Sequence, residues 1–150
     1  MKNKSTIITV ILIVLLGIFI LVYLGGQDKA KKSETNAESE IISSNGLHWH
    51  STLAIYVKGE KLDIPANIGL GAVHNPIHTH TEDAPAGVIH MEFGDLVRKS
   101  DTKLGEFFKV WDKEIRSFGS NMKMAVNGID NIEFENYLMK DGDKIELRYD

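Results

Sequence analysis

Cysteine is absent from this 150-residue chain. Disulfides, thiolate metal ligands and an anchor acylated at cysteine are thereby excluded. A basic stripe is missing too. From Gly46 onward 12 Lys and Arg stand against 17 Asp and Glu, and a mildly acidic surface of that kind gives no reason to expect nucleic acid as a partner. The chain also lacks an HExxH helix, a serine in a nucleophile elbow and a glycine-rich phosphate loop, so the common signatures of zinc peptidases, serine hydrolases and nucleotide-binding enzymes do not apply. Histidine, finally, is missing almost everywhere: all six lie between His48 and His90.

What the chain does have begins with an apolar run. Residues 7–24 carry no charge and are mostly Ile, Leu and Val. At about 1.5 Å per helical residue they reach roughly 27 Å, close to the hydrocarbon thickness of a thin bilayer. The run is long for the core of a signal peptide, and Tyr23-Leu24-Gly25-Gly26-Gln27 is a poor cleavage region. We therefore expect a retained transmembrane helix rather than a cleaved leader, with the lipid bilayer as a partner through 7–24. Lys2 and Lys4 precede it and Lys29, Lys31 and Lys32 come after it, so positive charge is nearly balanced across it. The short N-terminal tail fits a signal-anchor that exports the chain behind it, and Asp28 and Glu34 dilute the second basic group. The expected location is the cell membrane, single-pass, with the C-terminal domain outside the cytoplasm. Residues 1–6 form the tail, 7–24 the span and 25–45 a flexible linker rich in Lys, Glu, Ser, Asn and Ala, with Ile41 and Ile42 as its only adjacent large apolar pair. Residues 46–150 remain for a histidine-rich metal-binding domain, enough for one modest core.

Strand signals dominate that domain. In Trp49–Val57 the residues Trp49, Leu53, Ile55 and Val57 share one phase, and His48, His50, Thr52 and Tyr56 share the other. Lys58-Gly59-Glu60 reads as a turn, with a short return over Lys61–Ile64 ended by Pro65. Asn67–Asn75 reads as a glycine-containing loop and Ile77–Thr81 as a short extended piece. Val88–Phe93 is the next strand, with Ile89, Met91 and Phe93 on one face and His90 and Glu92 on the other. In both strands the ligand-type residues lie opposite the apolar stripe, so one side can be buried while the other builds a polar site. One helix is expected over Lys103–Phe118, where Leu104, Phe108, Trp111, Ile115 and Phe118 recur at spacings of three and four, capped by Asp101 or Thr102 and stopped by Gly119. Met122–Val126, ended by Asn127-Gly128, and Lys144–Tyr149, after the turn Lys140-Asp141-Gly142-Asp143, complete the strands. The expected class is α+β, a mixed sheet packed on one helix.

The segment Leu138-Met139-Lys140-Asp141-Gly142-Asp143-Lys144-Ile145-Glu146-Leu147 resembles the closing turn and strand of ubiquitin-like proteins. The resemblance implies a beta-grasp fold, in which a mixed sheet wraps one helix. It covers the last third of the chain and, loosely, the opening hairpin. The sulfur-carrier activity of such proteins needs a Gly-Gly tail, and this chain ends Arg148-Tyr149-Asp150. His78-Thr79-His80 followed by Pro85-Ala86-Gly87-Val88-Ile89-His90 is similar to fragments of the two cupin motifs. However, Glu82 comes too soon after His80, and too few strands remain for a double-sheet barrel.

The histidines are patterned. His48-Trp49-His50, His78-Thr79-His80 and His90-Met91-Glu92 each place two ligand-type side chains at i and i+2, on the same face of an extended strand. His48, His50, His78, His80, His90 and Glu92 are the candidate ligands, with His74, before Pro76, as a peripheral one. Glu82 and Asp83 read as loop charges within reach. Several imidazoles with one carboxylate suit zinc or copper, and iron stands behind them. Binding of that metal outside the cytoplasm by a carrier, chaperone or sensor is the leading expectation, with a metal-donor or metal-acceptor protein as partner. The alternatives are a metal-dependent enzyme, hydrolase or oxygenase-like, using a His/Glu site, and a partner-binding module with a structural metal.

Overall fold

The computed structural model describes residues 40–150, together with Leu16. Apart from Leu16, the tail at 1–6, the expected span at 7–24 and the linker as far as residue 39 lie outside the described residues. Among the described residues no helix is long and apolar enough to cross a membrane. Contacts divide the chain into Met1–Glu40 and Ile41–Asp150, and the second unit carries every strand among the described residues.

In chain order this unit forms β1 (Ile41–Ser43), β2 (Leu47–Val57), β3 (Glu60–Leu62), β4 (Ile77–His78), β5 (Val88–Phe93), β6 (Val97–Arg98), α1 (Leu104–Val110), β7 (Lys123–Val126), β8 (Ile129–Asn131) and β9 (Lys144–Tyr149). Six strands make a mixed sheet in the order β4-β5-β2-β9-β7-β8, and β3 joins it by pairing with β2. The first long strand and the last, β2 and β9, lie parallel at its centre, while β5 and β7 run antiparallel to them. The α+β expectation of one helix against a mixed sheet holds. It is one sheet with a separate two-stranded ribbon of β1 and β6, so the cupin-like fragments do not belong to a double-sheet barrel.

Alternation sets the two faces of the sheet. Leu53, Ile55, Ile89, Met91, Ile145 and Leu147 point to one side and meet Leu104, Phe107 and Phe108 of α1, all at most 2% exposed. At roughly 25 cal/mol per Å² of apolar surface removed from water, this seam is the main stabilising term of the domain. It uses none of the histidines, so core and polar face are separable.

Three expectations are corrected. α1 is much shorter than Lys103–Phe118, because Asp112 turns into the left-handed region at φ 57°. There the amide of Asp112 donates to Lys109 O and that of Lys113 to Phe108 O, which ties off the last turn as a Schellman-type cap. Ile115 still reaches the core from beyond the helix, and Trp111 and Phe118 pack partly buried against it. The start differs too: Asp101 accepts from the Arg98 amide and so caps the 3-10 turn at Lys99–Thr102, not α1 itself. Second, Asn127-Gly128, with φ of 53° and 81°, is a tight turn that launches β8, a strand the hydrophobic pattern did not mark. Third, Ile41–Ser43, inside the stretch expected as linker, pairs with Val97–Arg98 as β1.

Candidate metal centre

The cluster arises from strand register. His50 on β2 pairs with His90 on β5, and His90 pairs on its other side with His78 on β4. One row across three strands therefore carries three imidazoles. In the next row His48 pairs with Glu92. Directly opposed side chains on one face have Cβ atoms about 4.5–5.5 Å apart. The rings follow suit, with centroids 4.6 Å apart for His50–His90 and 5.4 Å for the stacked His78–His90 pair.

Each element is fixed locally. At the start of β2 the His50 amide donates to Asp141 Oδ1 and its carbonyl accepts from the Gly142 amide, so the Lys140–Asp143 turn clamps it. Asp143 holds that turn, accepting from Tyr137 Oη at 2.7 Å and from the Lys140 amide at 2.9 Å. On the β4 side Pro76 immediately precedes the outer strand, where no N–H is needed, and its carbonyl accepts from the Glu92 amide. Thr79 points away from its neighbours: its hydroxyl donates to Pro65 O and accepts from the Ile68 amide. That pin holds His78 and His80 on the opposite side. Gly69 lets this loop close, because a Cβ there would stand 2.5 Å from Ile77 O.

Two of the imidazoles have their tautomers set by a partner that can only accept. His78 Nδ1 donates to Asn75 O at 3.0 Å, which leaves Nε2 without a proton, its lone pair turned toward His80 Nε2 at 3.1 Å. His90 Nε2 donates to Asp83 Oδ2 at 2.8 Å, which leaves Nδ1 free. That Nδ1 is buried and has no partner among protein groups. A buried nitrogen lone pair without a donor is costly unless something fills it, and Glu92 Oε1 lies 3.7 Å away. Burial also pushes His78 below the ordinary imidazole value of 6.5, opposed by its bond to Asn75 and by Glu92. The neutral ring favoured by that shift is the form a metal needs.

The distances suit a cation. His48 and His50 bring their Nε2 atoms to 3.1 Å, and His78 and His80 do the same. Two nitrogens bound to zinc at about 2.0–2.1 Å and a tetrahedral angle lie about 3.3 Å apart, so both pairs already have the bite of a chelate. His48, His50, His90 and Glu92 form one group whose ligand atoms lie within 4.8 Å of one another, and His78, His80, His90 and Glu92 form a second. His74 belongs to neither group. It is exposed and packs its ring edge-on against His78 at 4.6 Å. Asp83, read from the sequence as a loop charge, is the residue that orients His90. The turn in which Ala84 N donates to His80 O brings it there, and its only sequence signal was proximity to the histidines.

The site is not closed. His48 and Glu92 have side chains 63% and 40% exposed, and beside them lies a shallow groove of about 580 Å³ along Gly46, Leu47, His48, Glu92 and Phe93. A hollow of about 550 Å³ between Phe108, Asp112, Ile115 and Glu135 contains none of the cluster residues. No protein-family model matches this chain, and no curated protein or solved structure is significantly similar to it. The His/Glu cluster, able to hold a metal ion, is thus the feature from which function is argued.

Proposed function

We propose that this domain is a metal-dependent enzyme of the hydrolytic or oxygenase-like kind, working through zinc or copper held by the His/Glu cluster. One observation carries the reading. A nine-tenths-buried imidazole, oriented by Asp83, sits beside exposed ligands on the edge of a groove. A structural ion would ask for a closed tetrahedron, and the apolar core contains none of the histidines. A metal in such a site supplies Lewis acidity and a water activated near neutral pH. The chain's own contribution is to fix His90 through Asp83, to present His78 as a neutral ligand, and to hold the Glu92 carboxylate between His48 and His90 as an oxygen ligand at the groove.

The test is cobalt substitution of the full-length, tag-free chain, with visible spectra recorded as azide is added. Saturable spectral change marks an open coordination position. A chain that retains no cobalt overturns the metal reading, and a cobalt spectrum indifferent to azide overturns the catalytic one.

Reversible carriage of the ion is the second reading, favoured by the exposure of the His48–His50 pair. Imidazole ligands survive oxidising surroundings and release metal on protonation near their ordinary pKa of about 6.5. A metal-donor or metal-acceptor protein would then dock at that edge. In either case we place the domain outside the cytoplasm on a single membrane anchor, a reading supported by the uncharged run at 7–24. We also read the fold as beta-grasp-like, supported by the central parallel pairing of β2 with β9 and the single helix that precedes β7.

A further inference from the structure

The donor set is too large and too widely spread for one ion. Donors on a single zinc or copper ion lie at most about 4.2 Å apart, twice an imidazole–metal bond of about 2.1 Å. The five imidazoles and Glu92 do not fall within one group even at 4.8 Å; they fall into two groups that share His90 and Glu92. Each group contains its own chelating pair at 3.1 Å. The groups also differ in depth. His78 and His90 are buried, whereas His48 and His50 are exposed.

The shared residues differ in what they can share. His90 has one free nitrogen, since Nε2 is committed to Asp83, so it serves one ion. Glu92 has two oxygens and stands between the groups, with Oε1 3.3 Å from His48 Nε2 and 3.7 Å from His90 Nδ1. We propose that the cluster is a dinuclear centre for first-row divalent cations. His78, His80 and His90 hold the inner ion, His48 and His50 hold the outer ion, and the Glu92 carboxylate bridges them. The proposal rests on the metal reading and deepens it: the inner ion is held by the buried, oriented His78 and His90 with the half-buried His80, and the outer ion faces the groove. Paired ions of this kind sit about 3.5–4 Å apart and clamp a bridging oxygen ligand, a water or an oxyanion, between them.

The experiment is a metal count on the full-length, tag-free chain in detergent, stripped with chelator, reloaded with zinc, desalted and measured by plasma mass spectrometry. Two equivalents are expected in the native chain and one in the His48→Ala/His50→Ala variant. Loaded with copper(II), the native chain should show a spin-coupled resonance with a half-field signal, and the same variant an isolated copper(II) spectrum. One equivalent of zinc in the native chain overturns the dinuclear centre while leaving a metal site. Zero equivalents overturn both readings. Two equivalents with magnetically isolated copper overturn the Glu92 bridge and with it the proposal as stated.

Discussion

Replacing Asp83 by alanine tests the centre at a residue that is assigned no metal. In the native chain Asp83 Oδ2 accepts from His90 Nε2 at 2.8 Å, with the His90 side chain 11% exposed. That bond does two things: it puts the proton on Nε2, and it holds the ring with Nδ1 toward Glu92. Without it the Nδ1–H tautomer becomes available, and in that form the nitrogen cannot bind a cation. Loss of such an orienting carboxylate lowers metal affinity about 10- to 100-fold, which corresponds to about 1.4–2.7 kcal/mol at 1.36 kcal/mol per decade. Zinc affinity is read by competition with a chromophoric chelator, with Glu82→Ala, an exposed change one residue away, as the control. Affinity within twofold of the native value in Asp83→Ala would refute the assignment of His90 as an oriented ligand.

Two further outcomes rest on the same contacts. Burial holds His78 below 6.5, so the unfolded chain takes up a proton near pH 6.5 that the folded chain still refuses; stability is therefore complete above pH 6.5 and falls as pH drops below it. Urea midpoints of the metal-free protein should fall between pH 7.5 and 5.5 more steeply in the native chain than in His78→Gln, and equal slopes would contradict the buried neutral ring. Asp143→Ala strands the buried Tyr137 hydroxyl, at about 1–3 kcal/mol for a buried group left unsatisfied, and frees the part-buried Lys140 amide to water. The urea midpoint should drop by about 1 M given an m-value of about 1–3 kcal/mol per M, and an unchanged midpoint would remove Asp143 as the keystone of the turn that clamps His50.

Much of the fold was legible because strands with one buried face announce themselves by alternation. Val88–Phe93 and Lys144–Tyr149 form at their expected limits, since one register shift would move Ile89, Met91, Ile145 and Leu147 out of the core. The elements that were not legible lack that signal. β1, β6 and β8 are two or three residues long, too short for a period to be seen, and Ile129 on β8 is 73% exposed. The helix was overextended for a different reason. Ile115 and Phe118 keep helical spacing from Phe108 and Trp111, yet they reach the core from irregular chain after the reversal at Asp112. An apolar spacing reports which residues are buried, and it does not report which backbone path buries them.

The site shows the same division between what lies along a strand and what lies across strands. The i, i+2 pairs were readable because a strand's own geometry places His48 with His50 and His90 with Glu92. What could not be read was the lateral register that aligns His50, His90 and His78, since β4 is fixed by the Thr79 pin and not by a pattern of its own. Asp83 escaped for a related reason. Nothing in Glu82-Asp83 distinguishes one carboxylate from the other until the turn after His80 directs Asp83 to His90 and leaves Glu82 in solvent. His74 shows the converse, a histidine in the right segment whose backbone lies before the start of β4, so that its ring packs against His78 and joins neither ligand group. Ligand chemistry was written along the strands, whereas ligand grouping was decided between them. The shared position of Glu92 is the result of that lateral register, and it is the observation on which the proposed pair of ions, in place of one, rests.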